Sequence, residues 1–338
     1  MRALLIKAPG HVEIEDVDMP ELPRDSVLVR VRASGLCGTD IDIYSGKFAW
    51  ELPTRVGHEF AGEVVEGGAD VDRFAPGDRV VGENCIGCGK CPICRSGRYN
   101  LCERMPQLFD AHAEYTVSPE RATFRLPDSV SFEQGALVEP LCTGFRAAML
   151  ADVGAGSTVA IIGDGGIGLS ATICCREMGA ARILITGHRE SRMRLARQLG
   201  AEQTIDAGRE NIVASILDLT DGLGADSTIV TVGAQTMLGE VISLTKRGGS
   251  IAILGLYHGE EPPTFEWNDI ILREPTIRGN FSSPNVWPTV IEMLGQGRFP
   301  DATKMITHRF ALDEAKQAFE VALDKSQEAI KIMLTQEA

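Results

Sequence analysis

The stretch from Thr158 to Gly168 constrains the fold more than any other part of this 338-residue chain. It reads T-V-A-I-I followed by G-D-G-G-I-G, an apolar run that ends in glycines and leads into a helical pattern. Such a run is typical of a buried parallel strand, and parallel strands require crossover connections. Strand and helix patterns then alternate up to about Arg278. This alternation predicts an α/β fold with a doubly wound parallel sheet covered on both faces.

The glycine segment also matches the G-x-G-x-x-G pattern of dinucleotide-binding loops. The first glycine permits a tight turn, the second lets the backbone approach a pyrophosphate, and the third allows close packing of helix on strand. The N-terminus of the following helix attracts the anionic group. The alternative is a glycine-rich structural turn, but the strand before the motif and the helix after it favour a nucleotide site. The predicted cofactor-binding residues of this loop are Gly163, Gly165, Gly166, Ile167 and Gly168.

The residues after the next strand predict which nicotinamide cofactor binds. In NAD-binding folds, an Asp or Glu about 20 residues after the motif binds the ribose 2′-hydroxyl. Here the strand Arg182–Thr186 leads to Gly187, His188 and Arg189, with Arg192 one helical turn further. A missing carboxylate removes repulsion toward a 2′-phosphate, and a guanidinium binds phosphate bidentately. The sequence therefore favours NADP(H) over NAD(H). In the alternative, Arg189 is a solvated surface charge and NAD binds through other contacts.

The regions on either side of the α/β block predict a second, β-rich domain. Before about residue 140, runs such as Ser26–Arg32 alternate apolar and polar residues, which indicates half-buried strands. After the block, Ala329–Leu334 reads as a further strand. A sheet strand at this point indicates that the chain returns to its first domain.

A cluster of cysteines follows the pattern Cys88-x2-Cys91-x2-Cys94-x7-Cys102. Four thiolates at this spacing close a tetrahedral shell around zinc, which is the pattern of a structural rather than a catalytic site. The alternative is a group of free buried thiols, but the regular spacing favours metal. Cys85 lies just before the regular spacing and is an alternative ligand in place of Cys88.

A second, open set of candidate zinc ligands comprises Cys37, His58 and Glu59. Three protein ligands with one exchangeable position form the pattern of catalytic zinc. Glu139, in the sequence V-E-P, is a fourth candidate that either binds directly or exchanges with water. Taken alone, a single Cys and a single His are more often ordinary packed residues.

Two polar residues beside Cys37 are candidates for supporting roles. Asp40 is placed to accept a hydrogen bond from the His58 nitrogen that does not bind metal, or else is a simple turn carboxylate. Thr39 offers a hydroxyl for proton relay, or else is satisfied by local backbone. The other histidines stand alone and are expected to be surface residues or internally satisfied. These are His11, His112, His188, His258 and His308.

Composition excludes several classes of function. The net charge of -14 argues against nucleic-acid binding, which needs a basic face. No stretch approaches the roughly 18 apolar residues of a membrane helix. The N-terminal apolar run is too short for a signal peptide, so the cysteine cluster is read as metal-binding. We therefore expect a cytoplasmic protein with a small-molecule substrate.

These motifs together resemble the zinc-dependent medium-chain dehydrogenase/reductases, in particular the sorbitol, threonine and butanediol dehydrogenase branch. The matching elements are C-G-T-D, G-H-E-F-A-G-E-V, C-G-K-C-P-I-C-R-S-G-R-Y-N-L-C, V-E-P-L and G-D-G-G-I-G, in family order over essentially the whole chain. The resemblance implies a GroES-like catalytic domain (1–145 and 285–338) around an inserted Rossmann domain (146–284). It also implies two zinc ions per chain at the two ligand sets above, and a homotetramer or homodimer.

The resemblance further implies interconversion of a secondary alcohol and a ketone on a polyol, sugar, cyclitol or amino-sugar. Two alternatives are a threonine-type amino-alcohol 3-dehydrogenase that uses NAD, and a non-catalytic nucleotide-sensing or scaffold protein. The chain departs from many relatives at Asp42, where a relay histidine is usual. Asp42 therefore either replaces that relay or binds a polar or cationic substrate. The loop from Met105 to His112 is also shorter than in many relatives.

Overall fold

Two kinds of sheet divide the chain into two units, Met1–Glu139 with Ser282–Ala338, and Pro140–Phe281. The computed structural model describes residues 1–105, 110–233, 237–257, 259, 261 and 263–336. Positions 106–109 of the loop noted above, and His258, therefore lie outside the described residues.

The strands of the first unit are β1 (Arg2–Ala8), β2 (His11–Asp16), β3 (Ser26–Gly35), β4 (Thr54–Arg55), β5 (Glu59–Gly67), β6 (Arg79–Gly82), β7 (Tyr115–Pro119) and β8 (Thr123–Arg125), and, after the second unit, β15 (Ile306–Ala311) and β16 (Lys331–Thr335). Its helices are α1 (Gly38–Tyr44), α2 (Pro92–Arg95), α3 (Phe132–Ala136), α10 (Trp287–Gly295) and α11 (Ala315–Leu323). Helix α4 (Val138–Leu150) begins at the end of this unit and continues into the second.

The second unit contains β9 (Thr158–Ile162), β10 (Arg182–Gly187), β11 (Gln203–Asp206), β12 (Ala225–Val230), β13 (Thr245–Ile253) and β14 (Thr276–Gly279). Its further helices are α5 (Gly166–Glu177), α6 (Glu190–Leu199), α7 (Ile212–Leu219), α8 (Met237–Leu244) and α9 (Trp267–Arg273). Short 3-10 turns occupy Tyr99–Leu101, Glu120–Ala122, Ala302–Met305, Leu312–Glu314 and Lys325–Gln327.

A six-stranded parallel sheet in the order β11-β10-β9-β12-β13-β14 forms the second unit. Its central strand β9 is buried along Val159–Ile162, as its continuous apolar sequence predicts. The adjacent strands and helices add apolar side chains to one core, including Leu184, Ile205 and Val241. The prediction of a doubly wound α/β sheet is confirmed, and the glycine motif lies between β9 and α5.

Antiparallel pairing dominates the first unit, in which β3 lies at the middle of a seven-stranded sheet. The order is β15-β16-β3-β5-β6-β8, with β7 also paired to β3. Alternate residues of β3, such as Val27, Val29 and Val31, point into an apolar core. Strand β16, from the end of the chain, pairs directly with β3. A smaller sheet, β2-β1-β4, completes the unit.

A buried carboxyl group, that of Glu83, binds the cysteine-rich segment that follows β6 through hydrogen bonds from Tyr99. Glu83 is 4% exposed, and the Tyr99 hydroxyl donates to its carboxyl group, lying 2.8 and 3.0 Å from the two oxygens. The backbone N–H of Asn285 donates to the Tyr99 oxygen at 2.9 Å. Burial raises the pKa of Glu83 from its usual 4.5 to about 8; the Tyr99 hydrogen bond opposes this and the charge of Glu139 adds to it.

Within the described part of the chain, no helix is long and apolar enough to cross a membrane.

The raised pKa of Glu83 predicts a specific pH dependence of stability. The folded state holds this proton more tightly than the unfolded state, so stability is lost as pH rises from 4.5 towards 8. Glu83→Gln removes the titration. From about pH 6 to about pH 8, the wild type should therefore lose about 1–2 kcal/mol of unfolding free energy relative to this variant. Urea unfolding at both pH values measures the difference. Glu51→Gln, at an exposed position, should show the same change of unfolding free energy with pH as the wild type. If Glu83→Gln also showed the same change as the wild type, the prediction would be wrong.

Candidate functional site

The pairing of β3 with β5 brings the two halves of the open ligand set together. Gly35, the last residue of β3, lies opposite Glu59, the first residue of β5. Cys37 follows at the start of α1, and His58 directly precedes β5. A side chain at position 35 has no space, because its β-carbon would lie 2.4 Å from Glu59 Oε2. The glycine thus makes room for the carboxylate.

The ligand atoms of Cys37, His58 and Glu59 all lie within 4.8 Å of one another. His58 and Glu59 are buried, and Cys37 is half-buried. His58 Nδ1 is buried without a hydrogen-bond partner. Burial opposes a charge on the His58 ring, but Cys37, Asp40 and Glu139 outweigh it and raise the pKa of the ring. One sulfur, one nitrogen and one carboxylate gathered in this way form a donor set that fits zinc.

Glu139 lies beside this set rather than within it. It is 6% exposed, and its Oε1 accepts a hydrogen bond from Asn84 Nδ2 at 2.9 Å. It is not among the three residues whose ligand atoms all lie within 4.8 Å of one another. Burial, with the nearby charge of Glu59, raises the pKa of Glu139 against the opposing effect of His58.

Asp40 lies next to His58 but directs its hydrogen bonds elsewhere. Its Oδ1 is 3.9 Å from His58 Nδ1, which is ion-pair range and too long for the expected hydrogen bond. Its Oδ2 instead accepts the Cys37 N–H at 2.8 Å and lies 3.3 Å from His112 Nε2. Burial opposes ionisation of Asp40, but His112 lowers its pKa below the usual value.

His112 belongs to this site, although it stands alone in the sequence. It is 1% exposed, and its Nδ1 lies 2.9 Å from the Ser34 hydroxyl while its Nε2 faces Asp40. It is therefore internally satisfied and not a surface residue. Gly57 allows this approach, because a β-carbon there would lie 2.5 Å from the His112 backbone nitrogen.

Lys331 is the charged partner of the site, and no sequence motif indicated it. Its Nζ lies 2.6 and 2.5 Å from the two oxygens of Glu59 and donates to the Leu36 carbonyl at 3.1 Å. It is 6% exposed. Burial disfavours the ammonium form, but Glu59 and Cys37 outweigh it and raise the pKa of Lys331. The residue reaches the site because β16 pairs with β3.

Thr39 and Asp42 both lie on α1, on the chain just after Cys37. The Thr39 hydroxyl is 3.8 Å from the Cys37 sulfur, and both side chains are half-buried. The Thr39 hydroxyl therefore lies within one helical turn of a candidate ligand, and Asp42 lies in the following turn.

The four cysteines of the regular spacing form a second cluster. The sulfur atoms of Cys88, Cys91, Cys94 and Cys102 all lie within 4.8 Å of one another. The short helix α2 contributes a turn in which the Cys94 N–H donates to the Cys91 sulfur at 3.4 Å. Cys85 is 2% exposed and is not part of this group. Four close thiols with no fifth position fit a closed tetrahedral shell.

The glycine loop has the geometry that each glycine requires. Gly163 has φ of +111°, a conformation in which L-residues are strained. Gly165 precedes α5 with open space beside it, and Gly166 and Ile167 begin the helix. Gly168 packs so closely that its β-carbon would lie 2.0 Å from the Gly163 carbonyl oxygen. The loop can therefore receive a pyrophosphate at the N-terminus of α5.

The turn after β10 holds the other predicted cofactor residues. Gly187 is buried, His188 is exposed and Arg189 is half-buried. The backbone N–H groups of His188 and Arg189 donate to Asp164 Oδ2 at 3.1 and 3.3 Å. Asp164 lies within the glycine motif, and sequence reasoning gave it no role.

Comparisons with known proteins agree with this arrangement. The family model described as alcohol dehydrogenase GroES-like domain matches residues 23–128, and the one described as zinc-binding dehydrogenase matches residues 166–296. The chain is 34% identical to a sorbitol dehydrogenase of Bacillus subtilis, with 99% of this chain and 97% of that protein covered. It is 35% identical to an L-threonine 3-dehydrogenase of Aeromonas salmonicida, with 95% of each covered.

A solved structure also resembles this chain over nearly its whole length. A zinc-binding dehydrogenase of Sinorhizobium meliloti bound to NADP has a TM-score of 0.92 and 32% identity, with 99% of each chain covered. Family models over more than half of the chain, and relatives above 30% identity over nearly all of it, agree on one family. The chain therefore belongs to the zinc-dependent medium-chain alcohol dehydrogenases, and it is an oxidoreductase that acts on CH–OH groups.

Proposed function

We propose that the chain interconverts a secondary alcohol and a ketone on a polyhydroxylated substrate: a polyol, sugar, cyclitol or amino-sugar. The observation that carries this proposal is the open set of Cys37, His58 and Glu59, which leaves a position for a substrate oxygen. The similarity to sorbitol dehydrogenase over nearly the whole chain supports the substrate class. The comparable similarity to L-threonine 3-dehydrogenase supports the alternative, a threonine-type enzyme that uses NAD. A non-catalytic sensor is disfavoured, because it needs no such ligand set.

Cys37, His58 and Glu59 would hold the catalytic zinc, and Glu139, buried beside this set, would either bind directly or exchange with water. When bound, the zinc supplies a Lewis acid that polarises the substrate oxygen, and the nicotinamide supplies hydride exchange. Lys331 fixes both oxygens of Glu59 and so sets the orientation of this carboxylate. Asp40 closes the first turn of α1 through the Cys37 N–H and positions the thiol.

Proton movement is assigned to α1. The Thr39 hydroxyl, 3.8 Å from the Cys37 sulfur, would accept the proton of the substrate alcohol and at the same time pass its own proton on. Asp42 lies three residues further along the same helix, where it can pass the proton to solvent. In this assignment Asp42 replaces the histidine that many relatives carry.

Cys88, Cys91, Cys94 and Cys102 would hold a second, structural zinc, giving two per chain. The grouping of their four sulfur atoms supports this set, and the position of Cys85 outside the group supports Cys88 over Cys85. The cysteine-rich segment has few apolar side chains, so a metal is needed to fix its conformation.

We further propose that NADP(H) is preferred over NAD(H). Position 187, where NAD-dependent folds carry an acidic residue, is glycine, and His188 and Arg189 follow it. The similar Sinorhizobium meliloti dehydrogenase was solved with NADP bound, which supports the same choice.

A homo-oligomer is proposed through the edge of the parallel sheet. Strand β14 is an end strand of that sheet, and Ile277 on it is 37% exposed. Nearby on the chain, Trp267, Ile271 and Leu272 are each at least 60% exposed. An open edge that carries an exposed apolar side chain pairs readily with the same edge of a second copy, giving a dimer or a tetramer built from dimers.

The substrate class is tested by assaying polyols, cyclitols, amino-sugars and L-threonine with NADP and NAD, following nicotinamide absorbance. We expect turnover of at least one polyhydroxylated substrate, and loss of it in Cys37→Ser. Turnover of threonine alone, with NAD, would establish the alternative instead.

The metal content of purified variants tests the two zinc sites. The wild type should carry two zinc ions per chain, and Cys91→Ser should carry one and unfold at lower temperature, because three thiolates do not close the shell. Cys85→Ser is the matched control and should keep both ions. Loss of zinc from Cys85→Ser but not from Cys88→Ser would show that Cys85 is the fourth ligand.

Arg189→Gln tests cofactor preference. Removing a charge-assisted hydrogen bond to the 2′-phosphate should weaken NADPH binding by about tenfold or more, while NADH binding stays within about threefold. Fluorescence titration with each reduced cofactor measures both constants. Arg194→Gln, at an exposed position of helix α6, which follows Arg189 directly, serves as the control. Equal losses for both cofactors would place 2′-phosphate recognition elsewhere.

Ile277→Lys tests the proposed interface. A charged side chain on an edge strand opposes strand pairing, so the variant should be smaller than the wild type by light scattering. Leu223→Lys, at a 64% exposed position of the same unit, should leave the mass unchanged. An unchanged mass for Ile277→Lys would exclude this edge.

A further inference from the structure

Gly187 is a glycine for lack of space and not for backbone conformation. Its φ is not among the left-handed values found at other glycines such as Gly163 and Gly200. A β-carbon at position 187 would lie 2.3 Å from Oδ2 of Asp164, 2.6 Å from its Cγ and 2.7 Å from its Cβ. The carboxylate of Asp164 therefore fills the place that a side chain at the end of β10 would take.

Asp164 cannot easily leave that place. It is 9% exposed, and its Oδ2 accepts the backbone N–H groups of His188 and Arg189 at 3.1 and 3.3 Å. Its Oδ1 lies 3.9 Å from the Arg192 guanidinium. Another rotamer of this short side chain would lose the two backbone hydrogen bonds, so Asp164 resists displacement by a side chain at position 187.

We propose that Asp164 is a positioning residue for the adenosine end of the cofactor, and that it sets cofactor choice together with Gly187. This inference rests on the proposed NADP(H) preference. Asp164 fixes the backbone at residues 188 and 189, and thereby the point from which the Arg189 side chain leaves the turn. It also excludes the strand-end acidic residue that would bind a ribose 2′-hydroxyl. The acidic group of this turn is thus supplied by the glycine loop and already satisfied by protein donors.

A consequence is that one substitution cannot exchange the cofactor. The substitution Gly187→Asp would place a second carboxylate against Asp164. The new side chain would clash with Asp164, and the two like charges would repel each other. Gly187→Asp alone should therefore weaken both cofactors instead of selecting NAD(H). Room for the new carboxylate exists only when Asp164 is shortened.

The coupling of the two positions is tested by a double-mutant cycle. Fluorescence titration gives the dissociation constants of NADPH and NADH for Gly187→Ala, Asp164→Ala and the double variant. Gly187→Ala should weaken both by about tenfold or more, because a methyl group enters a filled space. The double variant should bind within about threefold of Asp164→Ala. Gly154→Ala is the control, since a β-carbon at this position of the same unit meets nothing within 4 Å.

Two results would overturn the inference. The first is wild-type affinity in Gly187→Ala. The second is that Gly187→Ala weakens binding as much in the Asp164→Ala background as it does in the wild type. If Gly187→Ala does not fold, adding Asp164→Ala should restore a cooperative thermal unfolding transition. Its absence in the double variant would contradict the inference in the same way. Asp164→Asn keeps an accepting oxygen, so it should retain NADPH affinity better than Asp164→Ala. Equal affinities in these two variants would remove the positioning role.

Cofactor choice is tested with the acidic variants. Asp164→Ala combined with Gly187→Asp should prefer NADH by about tenfold, whereas Gly187→Asp alone should bind both cofactors poorly. Preference for NADH in Gly187→Asp alone would contradict the inference. If the unchanged protein itself binds NADH better, the proposed NADP(H) preference fails. The Gly187→Ala and Asp164→Ala cycle then still decides whether the two positions are coupled.

Discussion

The register of β3 against β5 is the constraint on which the candidate zinc site depends. Gly35 lies opposite Glu59, and the flanking residues Cys37 and His58 approach each other only because these strands pair there. A slip of one residue would turn Glu59 to the other face of the sheet and separate the ligand atoms. The buried valines of β3 fix the register, since the same slip would expose them. The packing of the sheet thus determines the chemistry at its end.

Charge balance explains why a lysine from the end of the chain lies in this site. Cys37 and Glu59 bring two groups that are anionic as ligands into a buried place, and Lys331 supplies one positive charge at hydrogen-bond distance from Glu59. A divalent ion held by these ligands would offset the charges of Cys37 and Glu59, and the charge of Lys331 also acts on the buried carboxyl group of Glu139. Lys331 therefore stabilises the buried acidic groups of the site whether or not a metal is bound.

Sequence reasoning succeeded where chemistry is local in the chain. The strand before the glycine motif and the helix after it were predicted correctly, because neighbouring residues determine them. The Cys88–Cys102 spacing likewise predicted a cluster that the structure brings together. Lys331 and His112 could not be found in this way. Lys331 reaches Glu59 through the pairing of β16 with β3, and His112 reaches Asp40 across 72 positions of sequence. Only the three-dimensional register reveals such partners.

The two candidate sites share a device that the sequence conceals. Gly35 and Gly187 both stand at the ends of strands, and neither has the positive φ that would require glycine. Each instead leaves space for a carboxylate from another part of the chain, Glu59 in one case and Asp164 in the other. The identity of each glycine is thus determined by its acidic neighbour. It follows that substitutions at these glycines are tolerated only together with a change of the facing carboxylate. At position 35 the facing carboxylate is a candidate metal ligand, so we expect that glycine to be the less replaceable of the two.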